Sequence, residues 1–242
     1  MGQNSGNTGL VAIAVALVAG LALGGFFVSQ TLYNAKVAVN TAEAKGLAER
    51  RVKADQVSWT VRYRLATAER SGIPALYEEA EKQKQDIAAL LMDKGFSQED
   101  LTYGVIDYYP QIYRNSNQQI VDESHELSGS ITVSSDKVDL VRKVRGDVNS
   151  LIAKGYDIVN EQPAFRFTSL NDIKPDMLRE ATQNARIAAN EFASNAGVEV
   201  GSIRSARQGS FYVRDAGEEY GDTQKIEKDV RVVTTITFYL TE

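Results

Sequence analysis

Lys174–Val213, KPDMLREATQNARIAANEFASNAGVEVGSIRSARQGSFYV, reads as a long helix that stops at a glycine and turns into a strand. From about Pro175 to Ala196, the residues Ala181, Ala185, Ala189 and Phe192 recur at helical spacing and make one stripe. The stripe is mostly small, which suits a helix laid close against a sheet. Gly197 follows in the C-capping position, where a left-handed backbone is needed. Val198–Ser205 is then a short strand candidate. A helix packed on a sheet is therefore the first expectation.

Two more helices precede it. One runs from about Pro74 to Lys94, with Leu76, Ala80, Ile87, Leu90 and Leu91 on one stripe and Pro74 suited to its first turn. The other runs from about Asp136 to Lys154, with Val141, Val144, Val148, Leu151 and Ile152 inward and Ser135 or Asp136 as N-cap. Gly95 and Gly155 follow them as Gly197 follows the third. Between the helices, Val57, Trp59, Val61, Tyr63 and Leu65 alternate with polar residues as in a half-buried strand. Leu101, Tyr103 and Val105 keep one phase while Ile106, Tyr108 and Ile112 take the other, which predicts a bulge near Val105–Ile106. Leu127–Val133 and Ala164–Thr168 are further strands, and Val230–Leu240, VRVVTTITFYL, reads as a central one. The tripeptides Lys94-Gly95-Phe96 and Lys154-Gly155-Tyr156 echo each other after strand and helix, as two β-α-β units would. The pattern predicts an α+β layer architecture, with three main helices on an antiparallel or mixed sheet.

The front of the chain differs in kind. Gly9–Val28, GLVAIAVALVAGLALGGFFV, carries no charge, and the first charged side chain is Lys36. About 20 apolar helical residues cross a bilayer core of roughly 30 Å. Residues 1–8 lack the basic side chains of a secretory signal, and no Ala-x-Ala follows the apolar run before Lys36. A retained anchor is the reading, and a removable signal is the alternative. The expected organisation is a tail at 1–8, an anchor at 9–28, a linker at 29–40 and one α+β domain at 41–242. Ala16, Gly20 and Gly24 sit four apart on the anchor, the small-xxx-small spacing that lets two membrane helices approach closely. Lys36, Lys45, Arg50, Arg51 and Lys53 flank the anchor on one side only. Taken alone, that asymmetry would leave the domain in the cytoplasm.

Composition excludes whole classes of chemistry. A net charge of −5 argues against nucleic-acid binding, which needs a basic face. With no cysteine there are no disulfides, thiolate nucleophiles or thiolate metal sites. His125 is the single histidine, on a strand in phase with Leu127 and Ile131, where a structural role is expected. No nucleotide-binding, hydrolase-elbow or zinc-helix motif is present. Asp215–Asp222, DAGEEYGD, is acidic but lacks the oxygen spacing of an EF-hand, so a solvated hairpin loop is expected rather than a calcium site. Tyr103, Tyr108, Tyr109 and Tyr113 are expected to lie half in the core and half at the surface. Tyr103, Tyr108 and His125 are the candidates for a ligand pocket, and no residue is a candidate for catalysis, cofactor or metal.

Beyond periodicity, Lys174–Val213 resembles the C-terminal half of the SIMPL-domain family, which includes bacterial oxidative-stress-defence and periplasmic immunogenic proteins. The matching positions are Ala181, Ala185 and Ala189, then Gly197, Gly201 and Ile203, then Arg207-Gln208-Gly209 with Phe211. The closing Lys228–Thr235 and, near the front, Lys45–Arg50 and Val52–Asp55 with Trp59 are similar to the same branch. The resemblance implies an α+β SIMPL-type domain, export across a bacterial inner membrane, frequent homo-oligomeric assembly and a link to oxidative stress without an agreed activity. It also implies that Thr41–Gly46 is a strand, although its alanine content favours helix. The expectation that follows is a non-enzymatic protein anchored in the inner membrane with its domain in the periplasm, working by self-assembly. Exposed basic side chains on sheet edges, such as Arg62 and Arg64, would serve contacts between protomers. The alternatives are a periplasmic module, small-ligand-binding or weakly catalytic, with a tyrosine-lined pocket for an unknown small ligand, and a cytoplasm-facing adaptor.

Overall fold

A computed structural model describes residues 5–36 and 40–241. Along the chain lie α1 (Ser5–Lys36), β1 (Thr41–Lys53), β2 (Gln56–Thr67), α2 (Ile73–Asp93), β3 (Leu101–Tyr103), β4 (Asp107–Arg114) and β5 (Ile120–Ser135). Then follow α3 (Val138–Val148), β6 (Asp157–Asn160), β7 (Ala164–Arg166), α4 (Leu170–Ala196), β8 (Glu199–Gln208), β9 (Tyr212–Asp215) and β10 (Glu227–Thr241). One sheet has the order β3-β5-β2-β6, with β4 also on β5 and β7 also on β2. The other has the order β1-β10-β8, with β9 also on β10. Residues 1–4, 37–39 and 242, which belong to the expected tail, linker and domain end, lie outside the described residues. Residues 29–36, assigned to the linker by sequence, continue α1.

The described residues form two compact units. The first takes Glu49–Met177 and Phe211–Arg231. Here β2 pairs antiparallel with β5 over Val57↔Ser135 to Thr67↔His125, and both β3 and β4 pair antiparallel with β5. Since β6 pairs antiparallel with the other side of β2, each crossover steps over one strand. Strand β2 reaches β3 through α2, and β5 reaches β6 through α3. The result is the interleaved β-α-β-β-α-β arrangement of ferredoxin-like folds. The tripeptide echo is thus a repeat of local structure. Gly95 (φ 110°) and Gly155 (φ 90°) are both left-handed. Phe96 N–H donates to the Leu91 carbonyl and Tyr156 N–H to that of Leu151, each at 3.2 Å. Val198 N–H closes α4 on Ala193 in the same way at 3.0 Å. This six-to-one bond satisfies a carbonyl that a helix end leaves free.

The core of this unit joins Val57, Trp59, Val61 and Tyr63 of β2 to Leu127, Ile131 and Val133 of β5, with Ile87 and Leu91 of α2 and Val141, Val144 and Val148 of α3. Each aliphatic side chain among them, fully buried, contributes about 1.5–3 kcal/mol of transfer free energy. Tyr63 faces Gly129 across the β2–β5 ladder, and its ring fills the space that a side chain there would occupy. Burial raises the Tyr63 phenol to about 12, so it stays neutral. The parity change near Val105–Ile106 is present as one inserted residue. Four steps from Tyr103 to Asp107 on one side match three from Ile131 to Ser128 on the other.

The second unit takes the described residues of 1–48, 178–210 and 232–242. Its core sets Ala44 of β1 and Ile236 and Phe238 of β10 against Ala185 and Ala189 of α4. Gly46 sits directly under the helix, where a Cβ would overlap the carbonyl oxygen of Ala181 and the amide nitrogen of Ala185. Asn184 Nδ2 donates to the Leu47 carbonyl at 2.7 Å, fixing the helix along the strand. Small residues at 44, 46 and 48 therefore mean a strand under close helix contact, as the resemblance implied, and not a helix. The Val230–Leu240 run is central as expected, since β10 pairs with β8 and β9 and lies between β1 and β8.

Several expectations need correction. Phe192 is 61% exposed, and Ala193 continues the buried stripe, because the contacting face advances four residues at a time. Ile152 is exposed, because α3 tightens after Val148 into a 3-10 turn, Asn149–Lys154, that keeps Leu151 inward. Helix α3 starts at Val138, with Lys137 at the N-cap position. Helix α4 begins five residues before Pro175. The Asp55 carboxylate accepts Thr168 N–H at 2.7 Å, the Thr168 hydroxyl at 3.0 Å and Ser169 N–H at 2.9 Å, starting the helix from a distant turn. Arg62 and Arg64 lie on β2, an interior strand, and pair with Glu161 (2.5 Å) and Asp157 (3.4 Å).

Candidate functional site

The most unusual surface is the hairpin made by β4 and the start of β5. Its turn is built by Asn115, whose Oδ1 accepts Asn117 N–H (2.9 Å) and Gln119 N–H (3.0 Å). That side chain replaces backbone partners, and Gln118 takes a left-handed conformation at φ 61°. All eight residues of β4 are exposed, and among the described residues the strand pairs only with β5. Tyr109 (50%), Ile112 (47%), Tyr113 (52%) and Val121 (62%) are open to solvent on both faces. The four tyrosines are thus at the surface and not shared with the core: Tyr103 ends the short strand β3, and Tyr108, Tyr109 and Tyr113 lie on a hairpin that no layer of the described residues covers. Ile120 and Val121 were not singled out from the sequence. Their signal was present, as apolar runs flanking the polar turn Asn115-Ser-Asn-Gln-Gln119.

At the hairpin base, His125 is buried in phase with Leu127 and Ile131, as its position predicted. The Tyr108 hydroxyl lies 2.8 Å from His125 Nδ1, and the two rings stack at 5.9 Å. Glu123 Oε1 is 3.1 Å from Nε2, but without hydrogen-bond geometry. Tyr108 and His125 are therefore brought together, whereas Tyr103 stands on β3 opposite Ile131. Pro110 faces His125 and offers no N–H, so backbone pairing along the free edge of β4 is interrupted.

The acidic loop Asp215–Asp222 is more than a solvated turn. Asp215 and Lys228 are 2% and 0% exposed and form an ion pair. Lys228 Nζ also donates to the Asp222 carbonyl at 2.8 Å, while Gln224 N–H (2.9 Å) and Lys225 N–H (3.0 Å) donate to the Asp215 carboxylate. Burial works against ionisation of Asp215. The Lys228 ammonium and the two amides outweigh it and hold the carboxyl below its usual range. The loop thus encloses its own cation, a lysine supplied by β10. Asp229 next door accepts Gly217 N–H at 2.9 Å and takes Arg51 in two hydrogen bonds of 2.8 and 3.1 Å. Among the described residues, no three His, Cys, Asp or Glu side chains converge on a point.

On α1, residues Gly9–Leu32 form a helix long and apolar enough to cross a membrane. Ala16, Gly20 and Gly24 are exposed along it, with open space beside both glycines. No curated protein matches the chain. A family model does match, SIMPL, described as a protein of unknown function, over residues 43–238. That span takes in both sheets, α2 to α4, the hairpin and the enclosed-lysine loop, so the chain belongs to the SIMPL family.

Proposed function

We propose that this is a non-enzymatic SIMPL protein, retained in the inner membrane by α1. Its domain faces the periplasm and works by homo-oligomeric assembly in protection against envelope or oxidative stress. The observation that carries the assembly reading is the β4–β5 hairpin, with aromatic and aliphatic side chains open on both faces. Contiguous exposed apolar surface of this kind marks interaction sites. Tyrosines buried at the centre of an interface are among the side chains that hold it together. Pro110 directs such contacts to the side-chain faces rather than to the strand edge. A retained anchor would confine protomers to one plane and raise their effective concentration. The stress role rests on the resemblance to oxidative-stress-defence members of the family.

The absence of native cysteine makes the test clean. Ile112→Cys protein in its membrane, treated with a short bismaleimide, is expected to run at twice the monomer mass on a denaturing gel. Glu78→Cys, on the exposed side of α2, is expected to remain monomeric. Monomer in both would remove the hairpin from the interface. Glu78→Cys also reports orientation. Labelling by an impermeant maleimide in cells with a permeabilised outer membrane supports the periplasm, and labelling only after lysis supports the cytoplasmic adaptor.

A further inference from the structure

A groove of about 580 Å³ opens beside α3 in the unit that holds the ferredoxin-like sheet. Its volume is that of an ordinary small-molecule site. Phe165, Pro163 and Ile226 give it an apolar floor, with Phe165 and Pro163 buried and Ile226 half-buried. Its rim carries Lys53, Arg142, Arg145 and Lys225 against Asp139 and Glu227, a local excess of positive charge in a chain of net charge −5.

The four cations are not equivalent. Lys53 is taken by Asp139, and Lys225 by Glu218 at 2.6 Å and the Ala216 carbonyl at 3.0 Å. Arg145 Nε leans on Asn160 Oδ1 at 3.3 Å, and the Asn160 amide returns a 2.8 Å bond to the Arg145 carbonyl. That exchange orients the guanidinium while leaving its two terminal nitrogens without a carboxylate among the described residues. Arg142 forms no ion pair among the described residues. The two arginines stand three apart on one helix face, and both also border the neighbouring hollow by Asn149 and Asn160. Two planar guanidiniums that hydrogen-bond to no carboxylate among the described residues, above an apolar floor, match an oxyanion joined to a flat apolar body. The excess positive charge would draw such a ligand in.

We propose that this groove binds an aromatic oxyanion, with its phosphate or carboxylate on Arg142 and Arg145 and its ring on Phe165 and Ile226. The site is separate from the hairpin and stands or falls independently of it. Phenyl phosphate, inorganic phosphate and phenol are to be titrated calorimetrically into full-length protein in nonionic detergent. Phenyl phosphate is expected to saturate, inorganic phosphate to bind more weakly and phenol not to bind. Arg142→Gln with Arg145→Gln is expected to weaken phenyl phosphate at least about tenfold, the loss of one charge-assisted hydrogen bond or more. The thermal midpoint of that variant should change little, since neither side chain is in the core and only the 3.3 Å bond from Arg145 to Asn160 is lost. No saturation by phenyl phosphate overturns the proposal, as does equal binding by the double variant. Equal affinity for inorganic phosphate overturns the role of the floor, and equal affinity for phenol that of the arginines.

Discussion

Gly46→Ala is expected to cost the fold about 3 kcal/mol or more, at or above the upper end for overpacking, because the added methyl meets helix backbone and not a movable side chain. Strand β1 and helix α4 touch there through Gly46, Ala181 and Ala185, and the helix cannot rise without opening the Ala44, Ile236 and Phe238 core. It would also stretch the 2.7 Å bond from Asn184 to Leu47. In a domain of this size the thermal midpoint should fall by roughly 6–12 °C, measured by circular dichroism on the detergent-solubilised chain. Gly146→Ala is the control, since a Cβ there meets nothing within 4 Å and an alanine favours the helix. A Gly46→Ala protein as stable as the parent would mean that α4 does not lie on β1 as described.

Lys228→Ala should be comparably damaging, about 3–5 kcal/mol, because it leaves the buried Asp215 carboxylate without its counter-charge. Exchanging both partners for apolar residues, Lys228→Met with Asp215→Leu, should cost less than the sum of the single changes, since no buried charge remains. The same loop sets an acid limit on stability. Asp215 is ionised in the fold below the pH at which it would ionise in the unfolded chain. So is Asp100, where burial is outweighed by the Ser97 amide and hydroxyl, Ser135 and Lys137, and its pKa falls to about 2. Groups of this sign stabilise fully above the unfolded value near 3.8 and lose that contribution as pH falls through the folded one. The parent should hold its stability down to about pH 4 and lose it progressively toward pH 2. With Lys228 gone, the Asp215 pKa rises, and acid unfolding should begin at a higher pH. An unchanged acid transition in Lys228→Ala would contradict the enclosed ion pair.

Both effects show what the sequence could and could not reveal. The alanine stripe, the three C-capping glycines, the β2 alternation and the one-residue insertion near Val105 are local periodicities, and each survives in the fold. What stayed hidden depends on contacts between distant positions. Asp55 starts α4 from more than a hundred residues away, and Lys228 answers Asp215 across a loop whose acidity pointed outward to solvent. Thr41–Gly46 looks helical by composition until the helix that demands small residues is set above it. The hairpin departs from the expected half-buried pattern for a related reason. Tyrosines at strand spacing imply one buried face only if a layer covers it, and none of the described residues forms one over β4. In the groove, nothing local marks Arg142 and Arg145, because the floor beside them comes from Phe165 and Ile226 on other segments of the chain.

Self-assembly of the full chain is tested most directly by its mass in mild detergent, from light scattering with the detergent subtracted. Assembly predicts a discrete multiple of 26.6 kDa that collapses toward the monomer when Ile112 and Tyr109 are both changed to lysine. A single 26.6 kDa particle at micromolar concentration, the same with and without those two changes, would contradict it.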